Sequence, residues 1–131
     1  MSMLVLDSVS KSYGALKVTD NISMSVTEGE TLGILGPNGA GKTTLFNLIS
    51  GDVRPDRGSV TFAGEVVTGM PAHKRCRLGM ARSYQVPQPF GGRTLLENFV
   101  ISASLGGQLK ESDAYAVASQ VLAETGLKVQ A

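Results

Sequence analysis

Eight consecutive residues of the chain combine three glycines, a lysine and a threonine at a spacing that could do chemistry. They are Gly36, Pro37, Asn38, Gly39, Ala40, Gly41, Lys42 and Thr43, and they match the pattern G-x-x-x-x-G-K-[ST] at every fixed position. Glycines let the backbone wrap a triphosphate closely with its N–H groups turned inward, where a side chain would block the approach. The run therefore predicts a loop that binds the phosphates of a nucleoside triphosphate.

The polar side chains of this loop predict specific contacts. Lys42 is expected to reach the β- and γ-phosphates as a point charge, and Thr43 to offer its hydroxyl to Mg²⁺. Thr44, the next residue, can bond the α-phosphate. A helix that begins at about Gly41 would add unpaired N–H groups and the positive end of its dipole. We therefore expect ATP with Mg²⁺ as the ligand.

The elements around the loop must place it between a strand and a helix. Residues 31–35 form a short apolar run that predicts a strand buried on both faces. From Lys42 onward apolar residues recur at helical spacing, and Gly51 stands where a left-handed residue closes a helix. A strand, the glycine loop and then a helix is the order that the motif requires, which disfavours a chance match.

The rest of the chain predicts further strands and helices. Residues 4–13 and the alternation of Ile22, Met24 and Val26 with polar residues predict two strands before the loop. Thr94 and Glu97 have the spacing of a capping box at the start of a helix. Further elements are predicted as a strand at 59–62, a short helix at 71–78, a strand at 80–84, and a last helix that begins near Ala114 and ends at Gly126.

Composition and charge exclude several classes of function. Twelve basic and eleven acidic residues give a formal charge of +1, and the basic cluster at 73–77 predicts a solvated helix face rather than a nucleic-acid site. The single cysteine, Cys76, permits no intrachain disulfide. Asp7 places a carboxylate too early for a signal peptide, and no apolar stretch is long enough to predict a transmembrane helix. We expect a cytosolic protein with no nucleic-acid partner.

Three longer segments resemble the ATP-binding subunits of ABC transporters. Residues 35–45 are similar to the phosphate-loop segment of that family, and residues 51–60 resemble its G-x-x-x-P-x-x-G-x-V passage. Residues 83–87 match the segment that carries the family's Q-loop glutamine. The resemblance implies an α/β fold with a P-loop NTPase core of the ABC-ATPase type and an N-terminal antiparallel β subdomain, truncated before the end of the helical subdomain.

The same resemblance assigns residues outside the glycine loop. Tyr13 lies where this family stacks an aromatic ring on adenine, and Val18 would pack beside the base. The alternative for Tyr13 is an aromatic ring packed on the core. Gln85 lies at the Q-loop position, where it would contact Mg²⁺ and the attacking water; the alternative is an ordinary polar loop residue. The expected metal ligands are Thr43 and Gln85.

Within the family, the chain most resembles the ATP-binding subunits of branched-chain amino acid importers. Residues 81–85, 89–90 and 94–98 carry this similarity. It implies an ATPase subunit that couples ATP binding and hydrolysis to amino-acid import. Its implied partners are a second ATP-binding subunit and membrane permease subunits, on the cytoplasmic face of the inner (plasma) membrane.

Parts that hydrolysis requires in this family do not occur in the sequence. They are a Leu-Ser-Gly-Gly-Gln signature, an apolar run ending in Asp-Glu after Gln85, and a later histidine, since the one histidine, His73, precedes Gln85. Residues 104–108 hold the signature's letters with the first two exchanged, but their glycines predict a helix end. We expect the N-terminal portion of one ATP-binding domain, with the nucleotide-binding core at 1–93 and the start of the helical subdomain at 94–131, and no turnover by this chain alone.

Two other classes of function stay open. One is a different P-loop enzyme, such as a nucleotide kinase or a GTPase. The Asn-Lys-x-Asp pattern for guanine is absent from the sequence, and a kinase usually has its loop after the first strand. The other is a catalytically silent nucleotide-binding or interaction module, which the lack of an Asp-Glu carboxylate favours for this chain.

Overall fold

The computed structural model describes residues 2–36, 41–84 and 89–127, and the chain divides into two compact units, Met1–Arg75 and Cys76–Ala131. The first unit opens with two long strands, β1 (Ser2–Tyr13) and β2 (Leu16–Thr27), which pair in an antiparallel hairpin. Gly14 lies in the turn between them at a positive φ of 62°, which glycine adopts without steric cost. The two strands predicted before the loop are therefore confirmed.

The hairpin is extended into a four-stranded antiparallel sheet. β3 (Arg57–Phe62) pairs with the free edge of β1, and the short β4 (Glu65–Val66) pairs with β3, so the order is β2-β1-β3-β4. The nine-residue helix α1 (Lys42–Ser50) adds an apolar side chain to the core. The core of this unit consists of side chains at most 1% exposed: Leu6, Val9, Leu48, Val60 and Val67.

The second unit is helical in the part that the structure describes. After α2 (Ala72–Arg77), whose last two residues belong to this unit, come α3 (Leu95–Leu105) and α4 (Glu111–Thr125). The hydroxyl of Thr94 accepts a hydrogen bond from the Glu97 N–H at 3.1 Å, which confirms the predicted helix start. The buried residues of α4 recur at every fourth position and so lie on one face of the helix: Ala114, Ala118 and Leu122. Within the described residues, no helix has both the length and the apolar character that crossing a membrane requires.

Two predicted strands are wrong. Residues 31–36 form no strand, and the Leu35 side chain is 95% exposed. A strand buried on both faces lies within a sheet and therefore needs at least one hydrogen-bonded neighbouring strand. In the described part of the chain the sheet ends at β2 and β4, and neither pairs with residues 31–36. Residues 80–84 also form no strand, and the Tyr84 side chain is exposed.

The prediction that residues 73–77 form a solvated helix face is wrong for Arg75. His73 and Lys74 are exposed, whereas Arg75 is only 1% exposed. Helical spacing places Arg75 on the same side of α2 as Ala72, three residues earlier. Its guanidinium donates hydrogen bonds to backbone carbonyls instead of water, and these bonds make its burial possible.

Candidate functional site: a helix start against the sheet

Two independent constraints require glycine at position 41, immediately before the first residue of α1. Gly41 has φ 89° and ψ 8°, a left-handed conformation that side chains disfavour. A Cβ atom at Gly41 would also lie 2.8 Å from the carbonyl oxygen of Val18 on β2, closer than van der Waals contact allows. Glycine at this position therefore lets the start of the helix approach the sheet.

The backbone N–H groups in the first turn of α1 have no hydrogen-bond acceptor within the helix. The first intrahelical bond joins the Leu45 N–H to the Gly41 carbonyl at 3.0 Å, so the N–H groups of residues 42–44 have no partner inside the helix. Among the described residues no side chain caps this end, and the first turn contains no acidic residue. The dipole and these donors favour an anion here.

Lys42 brings a positive charge to the same place. Its ammonium donates a hydrogen bond to the carbonyl of Gly36, the first residue of the motif, and so joins the two ends of the glycine loop. An ammonium has three donors, which leaves two for oxygens of a phosphate. Thr43 is exposed and Thr44 is half-buried. This donor set has the chemistry that a triphosphate needs.

A cleft of about 320 Å³ opens beside the helix start. Its walls come from β2, from residues 31–36 and from α1. The structure therefore brings together three of the residues predicted from the sequence, Val18, Gly41 and Lys42. Apolar side chains that share the lining are Ile22, Ile34, Leu35 and Leu45.

Tyr13 stands apart from this cleft, at the end of β1. Its side chain is 48% exposed, and the ammonium of Lys11 lies 5.4 Å from the ring centre. An exposed ring can stack on a base, whereas a ring packed on the core would be buried, so the exposure favours the stacking hypothesis. Lys11 also pairs with Asp56 at 3.2 Å.

Five of the predicted site residues lie outside the described part of the chain. They are Pro37, Asn38, Gly39, Ala40 and Gln85. Within the described residues, no group of three or more His, Cys, Asp or Glu side chains could hold a metal ion. The predicted Mg²⁺ site does not need such a group, because Mg²⁺ at nucleotide sites is held by few protein oxygens together with phosphates and waters. The exposed Thr43 hydroxyl is compatible with that role.

Residues 51–60, which resemble the G-x-x-x-P-x-x-G-x-V passage, have a structural role in this chain. Gly51 ends α1 in a left-handed conformation with φ 90°, as predicted. Gly58 has φ 85°, and a Cβ there would lie 2.4 Å from the carbonyl oxygen of Ser8, where the β1–β3 register shifts. Pro55 is buried, and Val60 is part of the core. These residues seat β3 against β1 and close the helix that starts at the glycine loop.

The predicted helix end at 104–108 is confirmed. The helix α3 ends at Leu105, and the Gly106 N–H donates to the carbonyls of Ser102 and Ala103. The left-handed residue that follows is Gln108, with φ 54°, and not a glycine. The Gln108 amide donates to the carbonyl of Arg77. This string therefore terminates a helix and does not begin one.

Sequence reasoning missed Arg75, which contacts the far end of α1. The run of basic residues around it suggested solvent exposure. The i, i+3 spacing of Ala72 and Arg75 was the available signal, because it puts both residues on one face of a short helix. Spacing alone does not identify the carbonyls that would receive a buried guanidinium.

Sequence comparison places the chain among transport proteins. The family model described as ABC transporter matches residues 19–131. A probable branched-chain amino acid transport ATP-binding protein, LivG, of Archaeoglobus fulgidus is 40% identical over 102 residues, covering 78% of this chain and 40% of that protein. The lipopolysaccharide export system ATP-binding protein LptB of Haemophilus influenzae is 39% identical over 100 residues, covering 76% and 42%. The chain thus spans about 40% of the length of these relatives.

Solved structures agree with the sequence comparison. A nucleotide-free ATP-binding cassette from an ABC transporter superposes with a TM-score of 0.82 at 29% identity, covering 99% of this chain and 56% of that one. The ADP conformation of an ABC transporter cassette superposes with a TM-score of 0.84 at 31% identity and the same coverage. The predicted fold class, a partial ABC-type core with an antiparallel β subdomain, is confirmed. The chain therefore belongs to the ABC transporter family and is related to its ATP-binding subunits.

Proposed function

We propose that this chain binds MgATP as the nucleotide-binding portion of an ABC transporter ATP-binding subunit. The start of α1 carries the proposal: Gly41 approaches Val18, the N–H groups of the first turn have no acceptor inside the helix, and Lys42 adds a positive charge. Membership of the ABC transporter family supports it. One solved relative is an ATP-binding cassette in an ADP conformation.

Each predicted site residue has a role in this proposal. The glycine loop from Gly36 to Thr43 surrounds the phosphates, with Lys42 on the β- and γ-phosphates and Thr44 on the α-phosphate. Thr43 and Gln85 bind Mg²⁺. Two residues of the first strands, Tyr13 and Val18, contact the adenine.

The chemistry of the whole subunit is ATP hydrolysis coupled to transport. Hydrolysis needs an oriented water and stabilisation of the charge that spreads over the transferred phosphoryl group. We propose that residues 1–93 form the nucleotide-binding core and residues 94–131 the start of a helical subdomain. In this proposal Gln85 belongs to the core and orients the water. The subunit works as a dimer with permease subunits, on the cytoplasmic face of the membrane.

The proposed transport substrate is an amino acid, most simply a branched-chain one. Resemblance to LivG of Archaeoglobus fulgidus supports this choice. The second candidate is lipopolysaccharide export, which LptB of Haemophilus influenzae favours at almost the same identity. Deletion of the gene separates the two candidates. Loss of growth on leucine as the sole nitrogen source supports amino-acid import, whereas loss of outer-membrane lipopolysaccharide supports lipopolysaccharide export.

Calorimetry with purified chain tests the nucleotide proposal. MgATP is expected to bind more tightly than AMP, because the loop contacts the β- and γ-phosphates. Lys42→Ala is expected to remove most of that difference, since a hydrogen bond to a charged group is worth about 1.5–3 kcal/mol. Equal affinity for AMP and MgATP, or an unchanged Lys42→Ala variant, contradicts the proposal. Preference for GTP would instead support the alternative of another P-loop enzyme.

A further inference from the structure

Arg75 is the largest fully buried side chain of the described residues, and its guanidinium is held only by backbone oxygens among the bonds that the structure shows. One terminal nitrogen, Nη1, donates to the Leu48 carbonyl at 2.9 Å and to the Ile49 carbonyl at 2.8 Å. Nε donates to the Met70 carbonyl at 2.9 Å, and Nη2 to the Thr68 carbonyl at 3.1 Å. All three nitrogens of the planar fork are therefore used.

Two of these carbonyls belong to the last turn of α1. The final carbonyls of a helix have no partner inside it, and the dipole makes this end negative. The Asn47 carbonyl is satisfied by the N–H groups of Gly51 and Val53, each at 3.1 Å. Arg75 satisfies the next two carbonyls, and α1 has no basic residue of its own in that turn. The guanidinium is thus the cationic cap of this helix end.

The other two carbonyls connect the helix end to the sheet. Thr68 and Met70 belong to the segment that follows β4. This segment is bonded to β3, because the Val67 N–H donates to the Val60 carbonyl at 2.8 Å and the Val60 N–H donates to the Thr68 hydroxyl at 3.0 Å. Arg75 therefore ties the end of α1 to a segment that the sheet already holds.

The approach of Arg75 to the helix leaves little free space. A Cβ atom at Gly51 would lie 2.8 Å from Nε of Arg75 and 3.0 Å from its Cδ. Burial lowers the pKa of Arg75, and the negative charge of Asp52 opposes that shift. An arginine stays protonated in proteins, so the charge is present at the helix end.

We infer that Arg75 is a positioning residue for the nucleotide site, acting through α1. This inference rests on the proposed function. The helix has nine residues and a length of roughly 13 Å, and its first turn supplies Lys42 and the N–H groups for the phosphates. A rigid helix held at its last turn keeps its first turn in place against Val18. Among the described residues, the hydrogen bonds of Arg75 go to Leu48, Ile49, Thr68 and Met70, and none goes to the first turn of α1.

The test uses two variants of Arg75 and one matched control in the purified 131-residue chain. Arg75→Met keeps the length of the side chain and removes all the donors. Arg75→Lys keeps the charge and loses the planar fork, and it decides the question if Arg75→Met does not fold. Lys74→Met removes a positive charge from the exposed neighbouring position on the same helix. Circular dichroism verifies folding, and calorimetry measures MgATP and AMP.

Arg75→Met is expected to weaken MgATP binding by about tenfold to a hundredfold, since a misplacement of about 1 Å can cost on the order of a hundredfold. AMP affinity should fall much less, by at most about twofold or under 0.5 kcal/mol, because AMP contacts the first turn through its α-phosphate alone. Arg75→Lys should recover part of the loss, and Lys74→Met should match wild type. A merely structural role would lower the affinity for both nucleotides by the same factor, because it only reduces the folded fraction.

Amide hydrogen exchange gives a readout without nucleotide. Exchange at residues 45–48 of α1 is expected to increase in Arg75→Met while exchange in β1 is unchanged. If the Arg75 variants fold and keep the wild-type preference for MgATP over AMP, the inference about Arg75 is wrong and the proposed function is unaffected. Wild-type chain that shows no such preference rejects the proposed function, and the inference falls with it.

Discussion

The ammonium nitrogen of Lys11 lies 5.4 Å from the centre of the Tyr13 ring. A cation at this distance over a ring face is attracted by the π electrons and keeps that face covered. Asp56 holds the same ammonium at 3.2 Å from one carboxylate oxygen and accepts the Ser12 N–H at 2.8 Å with the other. The end of β1 is therefore held in place, and the stacking hypothesis predicts that an adenine would lie on the opposite ring face.

Substitution of Tyr13 tests the stacking hypothesis. Tyr13→Ala is expected to weaken MgATP binding by about 0.5–1.5 kcal/mol, the range for an aromatic pair. Tyr13→Phe should change the affinity little, because the ring face makes the contact. Tyr115→Ala, at a similarly exposed tyrosine on α4, is the control and should be neutral. If Tyr13→Phe loses as much affinity as Tyr13→Ala, the hydroxyl matters and the stacking hypothesis is wrong.

Alanine at Gly41 tests whether the helix start depends on its contact with Val18. Gly29 supplies the control, because its φ of 81° is also left-handed but a Cβ there would meet open space. Gly29→Ala should cost only the backbone strain, about 1–2 kcal/mol. Gly41→Ala adds an overpacking cost of about 1–3 kcal/mol. Urea unfolding measures both values.

Gly41→Ala is also expected to abolish the preference for MgATP over AMP, whereas Gly29→Ala should retain it. The two variants share the unfavourable backbone conformation and differ in the contact. Equal losses of stability in the two variants would mean that the contact with Val18 has no energetic consequence.

The carboxylate of Asp56 makes stability depend on pH in the acidic range. Hydrogen bonds from the Ser12 N–H and from Lys11 lower the pKa of Asp56 below its ordinary value of 3.8. Because the pKa of Asp56 is lower in the folded state than in the unfolded state, its carboxylate stabilises the fold at pH values above the unfolded-state pKa. This contribution is lost as the pH falls through the folded-state pKa. Asp56→Asn should therefore lower the urea midpoint at neutral pH, and its difference from wild type should shrink below about pH 4.

Glu65→Gln, which removes one negative charge from an exposed position on β4, controls for net charge in that experiment. A difference between wild type and Asp56→Asn that keeps its size throughout the acid titration would contradict the assignment.

Phosphate release from MgATP by the 131-residue chain is expected to equal that of Lys42→Ala. The glycine loop and Lys42 bind the ground state and the transition state about equally, and such uniform binding does not raise kcat. The sequence contains no Leu-Ser-Gly-Gly-Gln signature and no apolar run ending in Asp-Glu after Gln85. Turnover clearly above the Lys42→Ala control would mean that the chain completes its site in another way.

Much of the local structure could be predicted because it depends on residues close in the chain. The strand β2 follows from alternation, and the left-handed ends of α1 and α4 follow from Gly51 and Gly126. The cap at Thr94 follows from its spacing to Glu97. Each of these signals acts within about four residues, the reach of one helical turn or one tight turn.

The sequence by itself determined the phosphate-loop motif and the family, because both depend on residue types at fixed spacing. Only the tertiary structure decided that residues 31–36 form no strand and that the Arg75 side chain is buried. A buried strand requires hydrogen-bonding neighbours from distant parts of the chain, and the described residues provide none for 31–36. A buried guanidinium requires acceptors, and those of Arg75 come from carbonyls as many as 27 residues away. Apolar pattern and charge do not specify partners at such separations.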